Sequence, residues 1–324
     1  MGDSEHKVVA DSTTKDFIGR FLQRYPPRIL ESLLQDKTTG RRIVWGGNGY
    51  ERYGSGYGTY DEITLECIAG ERSNLIMPRT EKDGKSQAAR TRTHAEVFTP
   101  SWLCCRMNDD IDEQWFGRPN AFTIMDGHTW ASTPKPVEFG ELNWRDYVDC
   151  LRLEITCGEA PFICSRYDTV TGRPLPVDSR IGFLDRKLRV VSENTNDSIM
   201  WRKYAYRALE STYGYEYQGD NLLVARINVL ETFAEHMMAR WRKEPDLSEI
   251  RHAANIIAWN LWQMDGLSDT PPHVALNEDN DASYFTDVFG SDFSEPAKPC
   301  LVYDWRKRRP QTFASLKKNK GVAA

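Results

Sequence analysis

The chain has 324 residues, 40% of them hydrophobic and 27% charged, a globular composition with enough length for one large core or two modest ones. Its formal net charge of −5 carries no global nucleic-acid signature, so any DNA contact has to come from local patches. No run of about 18 apolar residues occurs, which argues against a membrane span, and the N-terminus offers no apolar stretch for a secretory signal. The seven cysteines lack CxxC pairs. That argues against a zinc site and a disulfide framework and predicts reduced thiols in a cytoplasmic protein.

In chain order, Asp16 to Gln35 shows helical spacing interrupted at Pro26-Pro27, predicting two helices. Gly46 to Gly58, rich in Gly and Tyr, lacks the Lys-Ser/Thr of a P-loop and reads as a flexible loop. Ser73 to Pro78 reads as a short strand and Arg79 to Arg92 as a mobile polar loop. Pro100 opens a helix over Ser101 to Asn108. Asn221 to Trp241 predicts a long helix. Ser248 to Asn260 predicts another, N-capped by Ser248. Asn277 to Glu295 is acidic and turn-rich, Cys300 to Tyr303 reads as a strand, and Trp305 to Arg309 with Lys317 to Lys320 forms an irregular basic tail.

Four segments carry chemistry. Glu154 leads into Thr156-Cys157-Gly158-Glu159-Ala160-Pro161-Phe162, a small-residue turn through which a ligand can approach the backbone. Tyr213-Gly214-Tyr215-Glu216-Tyr217 ends a strand on an acid, followed by Ala225-Arg226-Ile227-Asn228. Trp262-Gln263-Met264-Asp265-Gly266 ends another on an acid. Ala95-Glu96-Val97-Phe98-Thr99-Pro100 precedes them all.

Together these segments resemble the cofactor-binding motifs of adenine-specific DNA methyltransferases, the modification subunits of restriction-modification systems. The likeness covers roughly residues 90 to 267, in the permuted order that places the Phe-Thr-Pro piece first. Glu154 stands where the family has Asp, Ala160 where it has a second Gly, and Ala95 where it has Gly.

The resemblance implies an α/β, Rossmann-like S-adenosylmethionine-dependent methyltransferase core, incomplete at its C-terminal half. It implies S-adenosylmethionine as cofactor, no metal, and DNA as partner. Phe98, Thr99 and Pro100 would hold the adenosyl and methionine ends. Glu154, Cys157, Gly158 and Ala160 would form the methionine turn, Glu216 would accept from the ribose hydroxyls, and Asp265 would accept the adenine amine, with Trp262 or Met264 nearby as apolar walls. The implied layout is an N-terminal extension over 1–90, a cofactor domain over 91–275 and a loop and tail over 276–324. The separation from Gly158 to Glu216 exceeds the roughly 30 residues of a direct β-α-β crossover and places an insertion at about 167–196.

The family's Asn-Pro-Pro-Tyr turn, which holds the flipped base, is missing. Thr270-Pro271-Pro272-His273 lacks its flanking residues. The expectation is a cofactor-binding part that needs a second subunit for the catalytic motif and target recognition. The rival expectation is a non-catalytic methyltransferase-fold scaffold or sensor.

Overall fold

The computed structural model describes residues 16–82, 99–272 and 298–319. Within them the fold is mixed α/β, built around a three-stranded parallel sheet. β3 (Arg152–Glu154), β4 (Thr212–Glu216) and β5 (Leu261–Gln263) lie in that order, with Leu153 opposite Tyr213 and Glu216 opposite Gln263. Two antiparallel pairs stand apart from it, β1 (Thr123–Asp126) with β2 (Thr129–Ser132) and β6 (Leu301–Asp304) with β7 (Arg309–Thr312).

The N-terminal helices α1 (Phe17–Arg24) and α2 (Pro27–Leu34) break at Pro26, as the sequence predicts. Pro27 occupies the first turn of α2, where its missing N–H costs nothing. A short α3 (Leu65–Ile68) follows, then α4 (Ser101–Phe116), which runs two turns beyond Asn108 to a left-handed Gly117 C-cap. α5 (Trp144–Asp149) precedes β3. Residues 167–196 hold a turn over 168–172 and a buried helix, α6 (Phe183–Asn194), and α7 (Ser198–Glu210) completes the crossover to β4.

α8 (Gly219–Trp241) is buried almost all round over its first sixteen residues, so its apolar face is wider than the single stripe read from sequence. α9 (Leu247–Asn260) is capped by Asp246, not Ser248. Asp246 Oδ1 accepts from the Ser248 and Glu249 N–H groups, and Glu249 reaches back to Asp246 N–H in a capping box.

Three further expectations are corrected. Residues 73–78 form turns rather than a strand. The 46–58 segment is packed, not loose: Asn48–Tyr53 is a 3-10 helix, and Trp45, Tyr50 and Tyr57 are buried together with ring centroids 4.3–5.4 Å apart. The strand expected at Cys300 to Tyr303 is present as β6, whereas the basic segment after it is not an irregular tail: it completes the β6–β7 hairpin and forms α10 (Phe313–Asn319). They cover Tyr213, Tyr215, Trp262 and Met264 on one face of the sheet. The N-terminal 17–82, partly helical, shares one hydrophobic core with α6 to α9. The acidic 277–295 stretch lies outside the described residues.

A buried arginine ties these layers together. Arg226 on α8 donates to the carbonyls of Leu33 in the last turn of α2 and of Gln35 at its C-cap, and to those of Ala258 and Leu261 at the α9–β5 joint. With no carboxylate bonded to it, burial holds its pKa down at about 10.

Candidate functional site

In an open parallel sheet, ligands gather at the carboxyl ends of the strands, where loops and helix N-termini converge. Here those ends present Glu154, Glu216 and, two residues past β5, Asp265.

The turn after β3 is conformationally unusual. Thr156 (φ 48°), Gly158 (φ 53°) and Ala160 (φ 67°) all occupy the left-handed region. Glycine reaches that region freely, whereas Thr and Ala pay about 1–2 kcal/mol each. Local hydrogen bonds hold the turn. Cys157 N–H donates to Tyr215 O at 2.8 Å and Ala160 N–H to Cys157 O at 2.7 Å.

Glu154 sits underneath, its carboxylate accepting from Phe162 N–H (3.4 Å) and Ile163 N–H (3.1 Å). It is buried, and desolvation pushes its pKa well above the ordinary value. Its carboxylate is thus directed at the turn's backbone, so it acts as a positioning group rather than as a contact for a ligand. The Cys157 thiol is buried against Gly214, with its pKa raised by desolvation, and behaves as a small apolar filler.

Glu216 links the turn to the next strand. Its Oε2 accepts from Gly158 N–H at 2.8 Å, and its Oε1 accepts from Tyr217 N–H (2.9 Å) and Gln218 N–H (3.0 Å). Burial raises its pKa, against the lowering effect of those N–H groups. Asp220, in the first turn of α8, accepts from the Tyr50 hydroxyl at 2.6 Å and has Lys82 Nζ at 3.7 Å.

Asp265 opens a turn in which its carboxylate accepts from Leu267 N–H at 2.9 Å. The expected walls beside it are corrected. Strand alternation puts Trp262 and Met264 on the opposite face from Glu216, sealed beneath Phe313 and Cys300. Gln263 occupies the expected position instead. Its amide bridges Val44 N–H (2.8 Å), Val44 O (2.8 Å) and Tyr217 O (2.7 Å).

Thr99 and Pro100 lead into α4. Pro100 takes the N-cap position and its carbonyl accepts from Leu103 and Cys104 N–H. Thr99 O accepts from the Thr169 hydroxyl at 2.8 Å. Phe98 lies outside the described residues. Between the start of α4 and the 159–161 turn is a gap of ≈ 10 Å³ lined by Ser101, Glu159, Pro161, Tyr167, Thr169 and Asn228, among others. A nucleoside needs far more room, so ligand entry there requires the 168–172 turn or the 99–101 segment to move.

The structure thus brings Thr99, Pro100, Gly158, Ala160 and Glu216 to one edge, with Asp265 beyond the neighbouring strand. No family model, no curated protein and no solved structure matches the chain.

Three residues essential to this edge were not singled out from the sequence. Glu159 accepts from Arg79 N–H (2.6 Å) and the Tyr167 hydroxyl (2.7 Å), clamping the N-terminal segment to the turn. Gln263 ties Val44 to Tyr217 through its amide. Gly46 (φ 70°) lies so close that a Cβ there would stand 2.4 Å from Tyr217 O. Of the three, only the glycine leaves a trace in sequence, because a positive φ at close approach favours it.

Proposed function

We propose that this chain is the cofactor-binding part of a DNA adenine methyltransferase from a restriction-modification system, acting with a partner chain that brings the catalytic turn and the target-recognition region. The observation that carries the reading is the Gly158–Glu216 pair: a left-handed glycine turn hydrogen-bonded to an acid at the carboxyl end of the adjacent parallel strand. A carboxylate offers about four lone-pair sites and three backbone N–H groups occupy three of them here, which leaves Glu216 about one site for a ribose hydroxyl in the present geometry, a second becoming available if a backbone N–H gives way.

In this reading, the positive-φ turn takes the methionine end of S-adenosylmethionine, Glu216 the ribose and Asp265 the adenine amine. Thr99 and Pro100 bring the N-terminus of α4 towards the methionine carboxylate. Methyl transfer then depends on aligning the sulfonium with the target nitrogen and excluding water, which is catalysis by positioning.

The test is calorimetry of the purified chain with S-adenosylmethionine. Saturable binding is expected, and Glu216→Ala should weaken it by roughly 1.5–3 kcal/mol as charge-assisted bonds are lost. No binding heat from the intact chain would overturn the reading.

A further inference from the structure

β3 forms one edge of the three-stranded sheet, and its backbone is used on one side only. Arg152 N–H donates to Ser211 O at 3.0 Å. Backbone groups alternate along a strand, so those of Arg152 and Glu154 face β4 while the N–H and C=O of Leu153 face outward. Among the described residues neither of these two Leu153 groups has a hydrogen-bond partner. The side chains repeat the pattern. Leu151, Leu153 and Ile155 are 38%, 41% and 59% exposed, all on the face that carries Tyr213 and Tyr215. The β6–β7 hairpin and α10 cover that face over β4 and β5 and stop short of β3.

Natural proteins usually blunt such an edge with charge, proline or a bulge. None of these occurs over Leu151 to Ile155 except Arg152 and Glu154, and both of those point into the buried face. A cleft of ≈ 210 Å³ continues from Leu151 to the hairpin, with Tyr213, Trp305 and Leu316 among its apolar walls. At its mouth, beside the start of β3, stands the hairpin tip: Arg306 and Lys307 line the cleft against Asp149 (4.0 Å) and Asp304 (3.4 Å), Glu210 lies opposite Arg207, and the excess positive charge comes from Arg308 and Arg309, exposed next to them.

We infer that the β3 edge is a docking site for an extended strand of a partner polypeptide. That strand runs parallel to β3, carries apolar residues at alternate positions, and has acidic residues preceding them. The docked strand takes the direction of β3, β4 and β5, which puts its N-terminal flank at the Arg306–Arg309 tip; a peptide with its acids moved to the C-terminal end should then bind more weakly. Charge complementarity selects the acids there, and the Leu151–Leu153–Ile155 stripe selects the alternation. The inference rests on the edge alone and does not depend on the cofactor reading.

The probe is a fluorescein-labelled peptide, Asp-Asp-Glu-Val-Thr-Ile-Thr-Val, titrated with the intact chain and followed by anisotropy. Saturable binding is expected, weakened about tenfold or more by Leu153→Lys, which charges the stripe. Leu153→Pro removes the outward N–H together with the leucine side chain, at a place where an edge strand tolerates proline, and should weaken binding more than Leu153→Ala, which removes the side chain and keeps the N–H. Arg306→Glu should weaken it and flatten its salt dependence.

Equal affinity for wild type, Leu153→Lys and Leu153→Pro would overturn the proposal. So would sedimentation showing a dimer of the chain that Leu153→Lys dissociates and the peptide does not, since the occupant would then be a second copy. Calorimetry with S-adenosylmethionine on Leu153→Lys reads the cofactor proposal separately.

Discussion

Gly158 donates its backbone N–H to Glu216 Oε2 at 2.8 Å across 58 residues of sequence. One carboxylate thereby fixes the turn after β3 relative to the end of β4, and two more N–H groups, of Tyr217 and Gln218, converge on it. Replacing Glu216 by Gln keeps the shape but substitutes an amide donor for one acceptor oxygen. We expect a loss of about 2 kcal/mol in urea unfolding, in addition to its effect on cofactor affinity. Unchanged stability in Glu216→Gln would mean that these bonds are individually dispensable.

The left-handed turn makes a paired prediction. Thr156 is exposed at φ 48°, whereas Ala160 is fully buried at φ 67°. Thr156→Gly relieves backbone strain at little packing cost and should raise stability by about 1 kcal/mol. Ala160→Gly relieves similar strain but removes a buried methyl worth about 0.8 kcal/mol, so its net effect should be near zero. Thermal melts of the two variants, compared side by side, check the difference.

Glu154 predicts a pH dependence. Burial raises its folded pKa well above its ordinary value of 4.5. Above pH ~4.5 the native state therefore holds more protons than the unfolded chain, and stability falls as pH rises towards the folded pKa. The contribution is fully present below pH ~4.5. Denaturant midpoints measured upward from pH 4.5 should decline, and Glu154→Gln should flatten that decline. A slope of the opposite sign that disappears in Glu154→Gln would refute the assignment.

Arg226 holds four carbonyls from three segments without a bonded carboxylate. Arg226→Met would leave those carbonyls buried and unbonded. We expect a destabilisation of at least about 3 kcal/mol, read by chemical denaturation. Arg226→Lys should recover only part of it, since one ammonium cannot span the fork.

Gly46 and Gly219 meet across the same joint. A Cβ on Gly46 would lie 2.4 Å from Tyr217 O, and one on Gly219 would lie 2.0 Å from Val44 O. Gly46→Ala and Gly219→Ala should each push residues 44–46 off the end of β4. Limited proteolysis should then cut near residues 46–58 faster than in the wild type.

Much of the sheet was readable in advance because acids and small residues mark its strand ends. Glu154, Glu216 and Gln263-Met264-Asp265 follow one another in the same order as the strands. The walls at Trp262 and Met264 were misread for a reason of parity. Sequence gives the alternation, but only the fold-back of residues 301–313 decides which face is sealed. The role of residues 44–46 was invisible because it depends on contacts to Tyr217 and Gln263, far along the chain. The cap of α9 was misplaced by two residues because Asp246 and Ser248 are both good capping residues, and the capping box with Glu249 favours the former.

The Gln263 amide joins positions 219 residues apart, gripping Val44 from the far end of the sheet. During synthesis at 5–20 residues per second, Val44 must wait roughly 10–45 s before its partner emerges. The rim of the crevice is therefore among the last parts of the molecule to take shape as the nascent chain grows, and α1 and α2 leave the ribosome long before the surface they settle on exists.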